Sequence, residues 1–359
     1  MVSKVKENKI NFKGKMVNIG VDMHKLSWRI TALVEGDVVL AVNLAKPRYD
    51  AFKQLISRFE GNYVRIAYEA GPGGFDLYDK LTNDGIDCIV TPPSLIPTES
   101  GNKVKTDKKD SHKLARLLEG NMLKKVWVLS PEERAHRQLV RTRRQIVNHR
   151  SDTMRQIKSL LLFHGIEVPF SSRQQWTGRF IKWLHEIDLG DEYLNASLKA
   201  LIHLFDYLSA EKKRLTHDVI ELARKDKYAS KVKLLKSIPG IGALSAMEIM
   251  VEIQDISRFE TADELAAFLG LTPSQYSSGE HIRMGHITHM GNGRIRTTLI
   301  ESSWILINKN PLMRKKYENI KYRRGGKRAI VAVARSLSSC IRRILLDQTP
   351  YEIDFKKAA

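Results

Sequence analysis

The sequence predicts a mixed α/β domain followed by a long, mostly helical region. Three observations indicate this fold. Short β-prone segments alternate with helical ones over residues 16–91, helical spacing dominates from residue 106 onward, and residues 194–222 repeat apolar side chains in a 4-3-4-3 rhythm. The fold class is therefore α/β plus α.

The first region opens with three strands joined by tight turns, at residues 16–22, 28–34 and 37–43. It continues with a helix at 48–60, a strand at 63–69, a helix at 74–84 and a strand at 86–91, which Pro92 and Pro93 end. Three antiparallel strands followed by helix–strand–helix–strand predict a mixed sheet.

The long helical region contains a basic helix at residues 131–164 and an a/d seam at 194–222 that only Lys212 interrupts. The seam predicts a coiled coil. Its facing stripe is predicted to be the apolar residues that recur every seven positions in the basic helix, Val140, Val147, Met154 and Leu161. An ordinary helical bundle is the alternative.

The last third begins with two helical patterns joined by Pro239-Gly240-Ile241-Gly242. This pattern resembles a helix-hairpin-helix, in which glycines allow backbone N–H groups to approach a phosphate. Gly240 and Gly242 are therefore candidate nucleic-acid contacts. A tight turn between two helices, without any ligand, is the alternative.

The charge of the chain indicates an anionic partner. Its 359 residues include 60 Lys and Arg against 40 Asp and Glu, a formal net charge of +20. Residues 103–158 hold sixteen basic and six acidic side chains, and residues 314–346 hold eleven and one, so these two stretches carry the whole excess. A solvated helix face usually mixes signs, so nucleic-acid phosphate is favoured over mere solubility. The candidate contacts are Arg141, Arg143, Arg144 and Arg150, then Arg323, Arg324, Lys327 and Arg328.

Composition excludes several classes of protein. A 42% hydrophobic content excludes a wholly disordered chain, and no apolar run reaches the roughly 20 residues of a membrane span. Cys88 and Cys340 alone cannot form a disulfide framework or a Cys-rich zinc site. The N-terminus lacks the apolar stretch of a secretory signal. A protein of the reducing cytosol is expected.

Four acids stand where a sheet-edge site is expected. Asp22 and Glu69 end predicted strands, and Asp107 and Asp110 share one helix face at a spacing of three residues. Carboxylates of this kind hold two Mg²⁺ ions about 4 Å apart in phosphodiester-cleaving enzymes. Salt bridges to the neighbouring lysines are the alternative for Asp107 and Asp110.

Residues 268–299 are rich in serine, glycine and cations. Gly279, Gly285, Gly291 and Gly293 predict an irregular loop. The loop would hold Ser277 and Ser278 beside Arg283, Arg294 and Arg296, a composition suited to handling a phosphate. Turn-forming serines are the alternative. The histidines at 281, 286 and 289 lack the partners that a zinc site needs.

These residues together resemble the DEDD transposases of insertion sequences, the IS110 family, described as bridge-RNA-guided recombinases. The resemblance covers nearly the whole chain and rests on several motifs in order: IGVDMHK (19–25), YEAGPGG (68–74), KTDKKDSHKLARLL (105–118), SIPGIGALSA (237–246), AAFLGLTPSQYSSG (266–279) and MGHITHMGNGRIRTTL (284–299). One difference is AGPGG after Glu69, where many relatives read Ala-Thr-Gly.

The resemblance implies an RNase H-type, RuvC-like domain over residues 1–125, a coiled-coil region over 126–230 and a C-terminal transposase domain over 231–359. It implies that Asp22, Glu69, Asp107 and Asp110 bind Mg²⁺, and that Ser278, directly before glycine, is the nucleophile, with Ser277 less favoured. It further implies donor and target DNA as substrates, a noncoding guide RNA, a homo-oligomer, and a prokaryotic, cytoplasmic, nucleoid-associated location.

The resulting hypothesis is an RNA-guided transposase that cuts and rejoins DNA through a covalent phosphoserine. Two alternatives remain open. One is a RuvC-like structure-specific endonuclease in which a metal-activated water attacks the phosphate. The other is a non-catalytic nucleic-acid scaffold whose acids serve as salt-bridge partners.

Overall fold

The computed structural model describes residues 14–71, 73–97, 107–278, 281–288 and 290–353; for 107–108, 276–278 and 281–284 it describes the backbone alone. The chain divides into two compact units, unit 1 with residues 1–129 and unit 2 with residues 130–359. The division falls directly before Ser130, which caps the first long helix of unit 2. The three-domain division at residues 125 and 230 stays a prediction.

A five-stranded mixed sheet forms the centre of unit 1, in the order β3-β2-β1-β4-β5. The first three strands are antiparallel, and β4 and β5 run parallel to β1. Their bounds are β1 Met16–Met23, β2 Ser27–Val34, β3 Asp37–Ala45, β4 Tyr63–Glu69 and β5 Asp87–Thr91. The predicted mixed sheet is confirmed, because every predicted strand forms within two residues of its expected bounds.

Helices cover both faces of this sheet. On one face, Val17, Ile19 and Val21 of β1 share a buried core with side chains of α1 (Tyr49–Ile56) and α2 (Asp76–Asn83). The opposite face of β1 carries Gly20, because side chains alternate along a strand. On that face α3 (Asp107–Glu119) packs against β1, β2 and β4.

Gly20 sets how closely α3 approaches the sheet. A Cβ atom at Gly20 would collide with the backbone oxygen of Ser111 and lie 2.5 Å from the backbone nitrogen of Ala115. Beside this contact, the buried hydroxyls of Thr31 and Ser111 are hydrogen-bonded at 2.9 Å. At the other end of the helix, the Glu119 carboxylate accepts a hydrogen bond from the Gly36 N–H. The helix therefore runs antiparallel to β1.

Unit 2 begins with two helices of 33 residues each, α4 (Pro131–Phe163) and α6 (Glu192–Arg224), separated by α5 (Gly178–Glu186). A capping box starts α4: Ser130 Oγ accepts from the Glu133 N–H, and the Glu133 carboxylate accepts from the Ser130 N–H. Arg143 contacts Thr216 and Arg150 contacts Ser209, so the pair is antiparallel. The long pair exists as expected, but true coiled-coil packing stays a prediction.

The rest of unit 2 packs around one large core that α12 crosses. The elements after α6 are α7 Asp226–Lys236, α8 Ala243–Ile253, α9 Ala262–Phe268, β6 Pro273–Ser278, β7 His281–Ile287, α10 Gly293–Lys309, α11 Pro311–Arg324 and α12 Gly326–Asp347. No helix in the described ranges is long and apolar enough to cross a membrane.

Replacing Gly20 with alanine should separate α3 from the sheet. The added methyl group has no room against the α3 backbone, so we expect the free energy of unfolding to fall by about 1–3 kcal/mol. Urea unfolding followed by circular dichroism measures this change. Gly71→Ala is the matched control, because its nearest Cβ contact would lie at 3.9 Å. Equal stability of the two variants would contradict the assigned packing of α3.

Candidate functional site: an acidic sheet edge and a basic cleft

Asp22 and Glu69 meet at one edge of the sheet in unit 1. The parallel register pairs Val21 with Tyr68, so Asp22 and Glu69 each follow a paired residue on adjacent strands. Glu69 is itself paired with Thr91 of β5. Side chains at equivalent positions of parallel strands point to the same face, so the two carboxylates belong to the face that α3 covers.

Helix α3 brings a third acid to this edge. Because α3 runs antiparallel to β1, its N-terminal turn lies at the end of β1 that carries Asp22. Asp110 is partly buried in that turn and precedes Leu114, which faces Gly20, by four residues. Asp107 begins the helix, but its side chain lies outside the described part of the chain. The structure thus places Asp22 and Glu69 at adjacent strand ends and Asp110 in the helix turn at the same end of β1.

A cleft of about 740 Å³ opens at the acidic edge. Asp22 and Glu69 line it together with Lys25, Trp28 and Asp76. His24 also lines it and places Nε2 3.3 Å from Asp22 Oδ2, whose side chain is only 15% exposed. The cleft combines carboxylates with cationic and aromatic side chains, which suits a phosphate-containing substrate.

The donor set at this edge fits Mg²⁺ in its chemistry. Carboxylate oxygens are the ligands that Mg²⁺ prefers, and two of them stand on neighbouring strands. Among the described side chains, however, no group of three or more His, Cys, Asp or Glu could hold a metal ion. The Asp107 carboxylate is not part of that description. Asp22 and Glu69, which line one cleft from neighbouring strands, are therefore the candidate metal-binding pair among the described side chains.

The serine segment in unit 2 is a β-hairpin, so the prediction of an irregular loop is wrong. Strands β6 and β7 pair in antiparallel register, with Ser278 opposite His281 at the turn end. Two of the glycines that suggested a loop, Gly285 and Gly291, serve close packing instead. A Cβ at Gly285 would collide with Ser274 Oγ across the hairpin, and one at Gly291 would lie 2.6 Å from the Gly270 nitrogen.

Ser277, Ser278 and Arg283 therefore lie on the hairpin strands near its turn, at positions where only the backbone is described. A hairpin end projects a short polar segment on a rigid support, which is a suitable place for a nucleophile. The assignment of Ser278 stays a prediction.

A basic cleft of about 700 Å³ lies between this hairpin and the α11–α12 helix pair. Four predicted nucleic-acid contacts line it: Arg323, Arg324, Lys327 and Arg328. All four are exposed, and no carboxylate within the described residues lies within ion-pair distance of them. The structure therefore brings the second basic stretch and the serine hairpin together in one unit.

The predicted arginines of α4 make contacts inside unit 2 instead. Arg141 forms a bidentate pair with the buried Glu252, at 2.6 and 2.7 Å, and Arg144 Nη1 lies 3.1 Å from Glu248 Oε2. Arg143 donates to Thr216, and burial lowers the pKa of its guanidinium. These nitrogens bind α4 to its neighbours, so phosphate contact by them stays a prediction.

Arg150 makes a related contact, because it donates to Ser209 and stacks 4.5 Å from the centre of the Phe205 ring. Burial lowers its pKa as well. An arginine in this position packs its long apolar part along the helix pair and offers only part of its charge to solvent.

The remaining predicted nucleic-acid contacts are Gly240, Gly242, Arg294 and Arg296, all of them in unit 2. Gly240 has a φ of +93°, and a Cβ there would lie 2.5 Å from the Ser302 oxygen, so close packing on α10 accounts for this glycine. Gly242 precedes α8 and faces open space. A helix-hairpin-helix is not established. Arg296 donates to the Gly270 oxygen at 3.3 Å, and Arg294 lies beside the Arg141–Glu252 pair.

Glu252 and Asn292 were missed by sequence reasoning. Asn292 caps α10 with its side-chain oxygen, and its side-chain nitrogen donates to Glu252 Oε2 at 3.0 Å. The Arg141–Glu252–Asn292 bridge therefore connects α4, α8 and the segment that follows the hairpin. The available signal for Glu252 was the presence of two acids, Glu248 and Glu252, in the otherwise apolar run AMEIMVEI, because a charge that faces a core needs a partner. No sequence motif marks Trp28 or Asp76 as a site residue. Both line the acidic cleft because the fold brings them there.

An acidic sheet edge in unit 1 and a basic cleft in unit 2 are the two candidate sites of the described residues, and comparisons with known proteins identify the family of the chain. A model of the IS116/IS110/IS902 transposase family matches residues 232–318, and the model of the IS110 DEDD transposases matches residues 19–165. The two matches cover more than half of the chain. The chain belongs to the IS110 family of DEDD transposases.

Curated relatives agree with this family. One relative, from Sinorhizobium fredii, carries the name "Putative transposase y4qE". It is 34% identical over 71% of this chain and 61% of its own length. The transposase for insertion sequence element IS1533 of Leptospira borgpetersenii is 27% identical over 67% and 70%. That for IS1111A of Coxiella burnetii is 26% identical over 93% and 90%. The predicted enzyme class, a DNA transposase, is confirmed.

Removing the Glu252 carboxylate should destabilise unit 2 strongly. Glu252→Ala leaves the Arg141 guanidinium and the Asn292 amide without their shared acceptor, and breaking a buried pair costs about 3–5 kcal/mol. Urea unfolding gives the change in free energy. Glu301→Ala, at an exposed site on α10, should change it by less than about 0.5 kcal/mol. A loss at Glu252 as small as that at Glu301 would show that the bridge contributes little.

Proposed function

We propose that this chain is the transposase of an insertion sequence, and that it cuts and rejoins DNA with an acidic centre in unit 1 and a serine in unit 2. The observation that carries the proposal is the placement of Asp22 and Glu69 at adjacent strand ends, with the Asp110 turn of α3 at the same end of β1, in a chain of net charge +20. Carboxylates tolerate approach of a polyanion when cations surround them, and a bound cation offsets their charge.

The architecture of unit 1 supports an RNase H-type, RuvC-like fold. Three antiparallel strands continue into two parallel ones, and helices cover both faces. Asp22, Glu69, Asp107 and Asp110 would hold the metal, with two Mg²⁺ ions expected. Bound Mg²⁺ supplies Lewis-acid stabilisation of charge on the scissile phosphate. The cleft residues Lys25 and His24 would hold the phosphates beside the acids.

Ser278 is the proposed nucleophile. Attack of its Oγ on the scissile phosphorus forms a P–Oγ bond and breaks the P–O3′ bond, and the hydroxyl proton ends on the departing 3′ oxygen. The phosphodiester is conserved as a protein–DNA ester, so attack by another 3′-hydroxyl reverses the step and joins the strands without a nucleoside triphosphate. The hairpin position of Ser278, beside the basic cleft, supports this role.

RNA guidance and assembly into a homo-oligomer rest on the family resemblance in the sequence. An element-encoded guide RNA would pair with donor and target DNA, so that base pairing selects the site and the protein contacts mainly the backbone. The basic residues around the cleft of unit 2 would then contact phosphates of either nucleic acid. Such a protein would work in the bacterial cytoplasm, at the nucleoid.

A covalent-adduct assay tests the chemistry. Protein, guide RNA, DNA and Mg²⁺ are incubated, denatured and separated on a gel. We expect DNA bound covalently to the wild-type protein, no adduct with Ser278→Ala, and neither cleavage nor adduct with Asp22→Asn or Asp107→Asn. Asp50→Asn, at an exposed site, should retain both activities.

Other outcomes of this assay select the competing functions. Cleavage that persists in Ser278→Ala without any adduct indicates the endonuclease that uses a metal-activated water. An adduct lost in Ser277→Ala, but kept in Ser278→Ala, transfers the nucleophile to Ser277. Full activity of Asp107→Asn refutes metal binding by the four acids, and inactive wild type under all RNA and metal conditions indicates a scaffold.

Neutralising the basic cleft should weaken DNA binding and its salt dependence. Changing Arg323, Arg324, Lys327 and Arg328 to Gln removes up to four phosphate contacts. Each contact contributes about 0.9 to the slope of log K against log salt concentration, so the slope should flatten by about 3 to 4. Fluorescence anisotropy at several salt concentrations measures it.

The matched control neutralises four exposed lysines of the helical region: Lys199, Lys213, Lys233 and Lys236. This variant has the same net charge as the cleft variant but an intact cleft. We expect it to keep most of the wild-type slope. Equal slopes for both variants would show that total charge, and not the cleft, determines DNA binding.

A further inference from the structure

We propose that the basic cleft of unit 2 binds a single nucleotide extruded from a nucleic-acid strand, with its base in the cleft and its phosphates on the rim. This inference rests on the proposed function in taking nucleic acid as the ligand and, for the position of the bound base relative to the cut, in taking Ser278 as the nucleophile. It goes further by assigning the cleft to a base and not only to the backbone.

The floor of the cleft is apolar. Three separate elements provide it: Leu271, Pro273 and Ile287 come from the hairpin and its flank, Ile320 from α11, and Val331 and Ala332 from α12. A volume of about 700 Å³ lies within the range of small-molecule sites, which is roughly 300–1,000 Å³. Contact with phosphates alone would need a polar surface and no apolar recess of this size.

The rim of the cleft is cationic. Arg323, Arg324, Lys327 and Arg328 are exposed on the turn between α11 and α12. A fifth cation, Arg335, is paired with Asp263 at 2.8 Å. No acid is among the described residues that line the cleft. An apolar recess surrounded by unpaired cations matches a ligand with a flat apolar body and attached negative charges, which is the chemistry of a nucleotide.

A protein segment fits this cleft less well. Its apolar side chains could fill the floor, but the four rim cations would then lose water without gaining a partner unless the segment were also strongly acidic. A strand of nucleic acid supplies phosphates on both sides of each base. Extruding a base costs a few kcal/mol, least where the strand is already unpaired, and burial of the base offsets that cost.

The position of the cleft relates it to the proposed nucleophile. Pro273 lies at the cleft end of β6 and Ser278 at the other, a separation of about 17 Å along the strand. The bound base is therefore a neighbour of the scissile phosphate and not the nucleotide that is cut. The cleft would favour DNA that is unpaired a short distance from the cleavage point.

A fluorescence titration tests the assignment. The probe is a single-stranded oligothymidylate with one central 2-aminopurine, whose emission is quenched by stacking and increases when the base leaves its neighbours. No Phe, Tyr or Trp ring is among the described residues that line the cleft, so nothing in that lining would quench an inserted base. We expect emission to rise severalfold when the full-length protein saturates the probe, as judged by anisotropy.

Two variants fill the floor, Val331→Trp and Ala332→Phe. Each should abolish the rise in emission, whereas anisotropy should still report binding with the wild-type salt dependence. Leu346→Trp is the matched control, because it adds the same ring at a 40% exposed site elsewhere on α12. Circular dichroism and thermal melting identify a variant that fails to fold. If one of the two cleft-filling variants does so, the emission of the other one tests the assignment.

Three results would overturn the inference. They are saturating binding without any rise in emission, a full rise in a folded cleft-filling variant, and loss of the rise in Leu346→Trp as well. Failure of the premise that nucleic acid is the ligand gives a different signature, because anisotropy would then show no binding of the probe, and failure of the cutting and rejoining chemistry is read from the covalent-adduct assay. The base site and the nucleic-acid function are thus tested separately.

Discussion

The contact between α3 and β1 at Gly20 is the constraint on which the acidic site depends. A strand residue without a side chain lets the helix backbone approach to within van der Waals distance of the sheet. That approach places the first turn of α3 at the strand end where Asp22 and Glu69 stand. A helix held one side-chain layer farther away would move Asp110 away from the strand ends that carry Asp22 and Glu69.

The excess positive charge serves two different purposes in unit 2. Arg141 and Arg144 neutralise Glu252 and Glu248, which lie on a helix that is otherwise embedded in the core. Arg324 and Lys327 instead remain exposed around an apolar recess. Net charge alone does not distinguish these purposes, because the two basic stretches, residues 103–158 and 314–346, have the same net charge. Only burial and partners distinguish a cation that holds helices together from one that is available to phosphate.

Much of the fold was predictable because short-range patterns determine it. The apolar alternation in β1 and the Pro-Pro stop after β5 predicted the sheet, and helical spacing predicted α4 and α6. The hairpin was missed because its glycines resemble loop composition, whereas Gly285 is needed for close contact with the Ser274 side chain on the paired strand, and Gly291 for close contact with the backbone at Gly270. The sheet-edge positions of Asp22 and Glu69 were predictable because both lie at the ends of predicted strands, whereas the apolar floor of the basic cleft was not, since three distant segments form it.

The Arg141–Glu252–Asn292 bridge has a consequence for the order in which the chain acquires structure. Its three members are separated by 111 and 40 residues, so the ion pair cannot form until most of unit 2 has been synthesised. Unit 1 is continuous in sequence and can fold while the ribosome is still making the long helices. The Arg141 guanidinium of the nascent α4 therefore stays without its carboxylate partner until Glu252 has emerged.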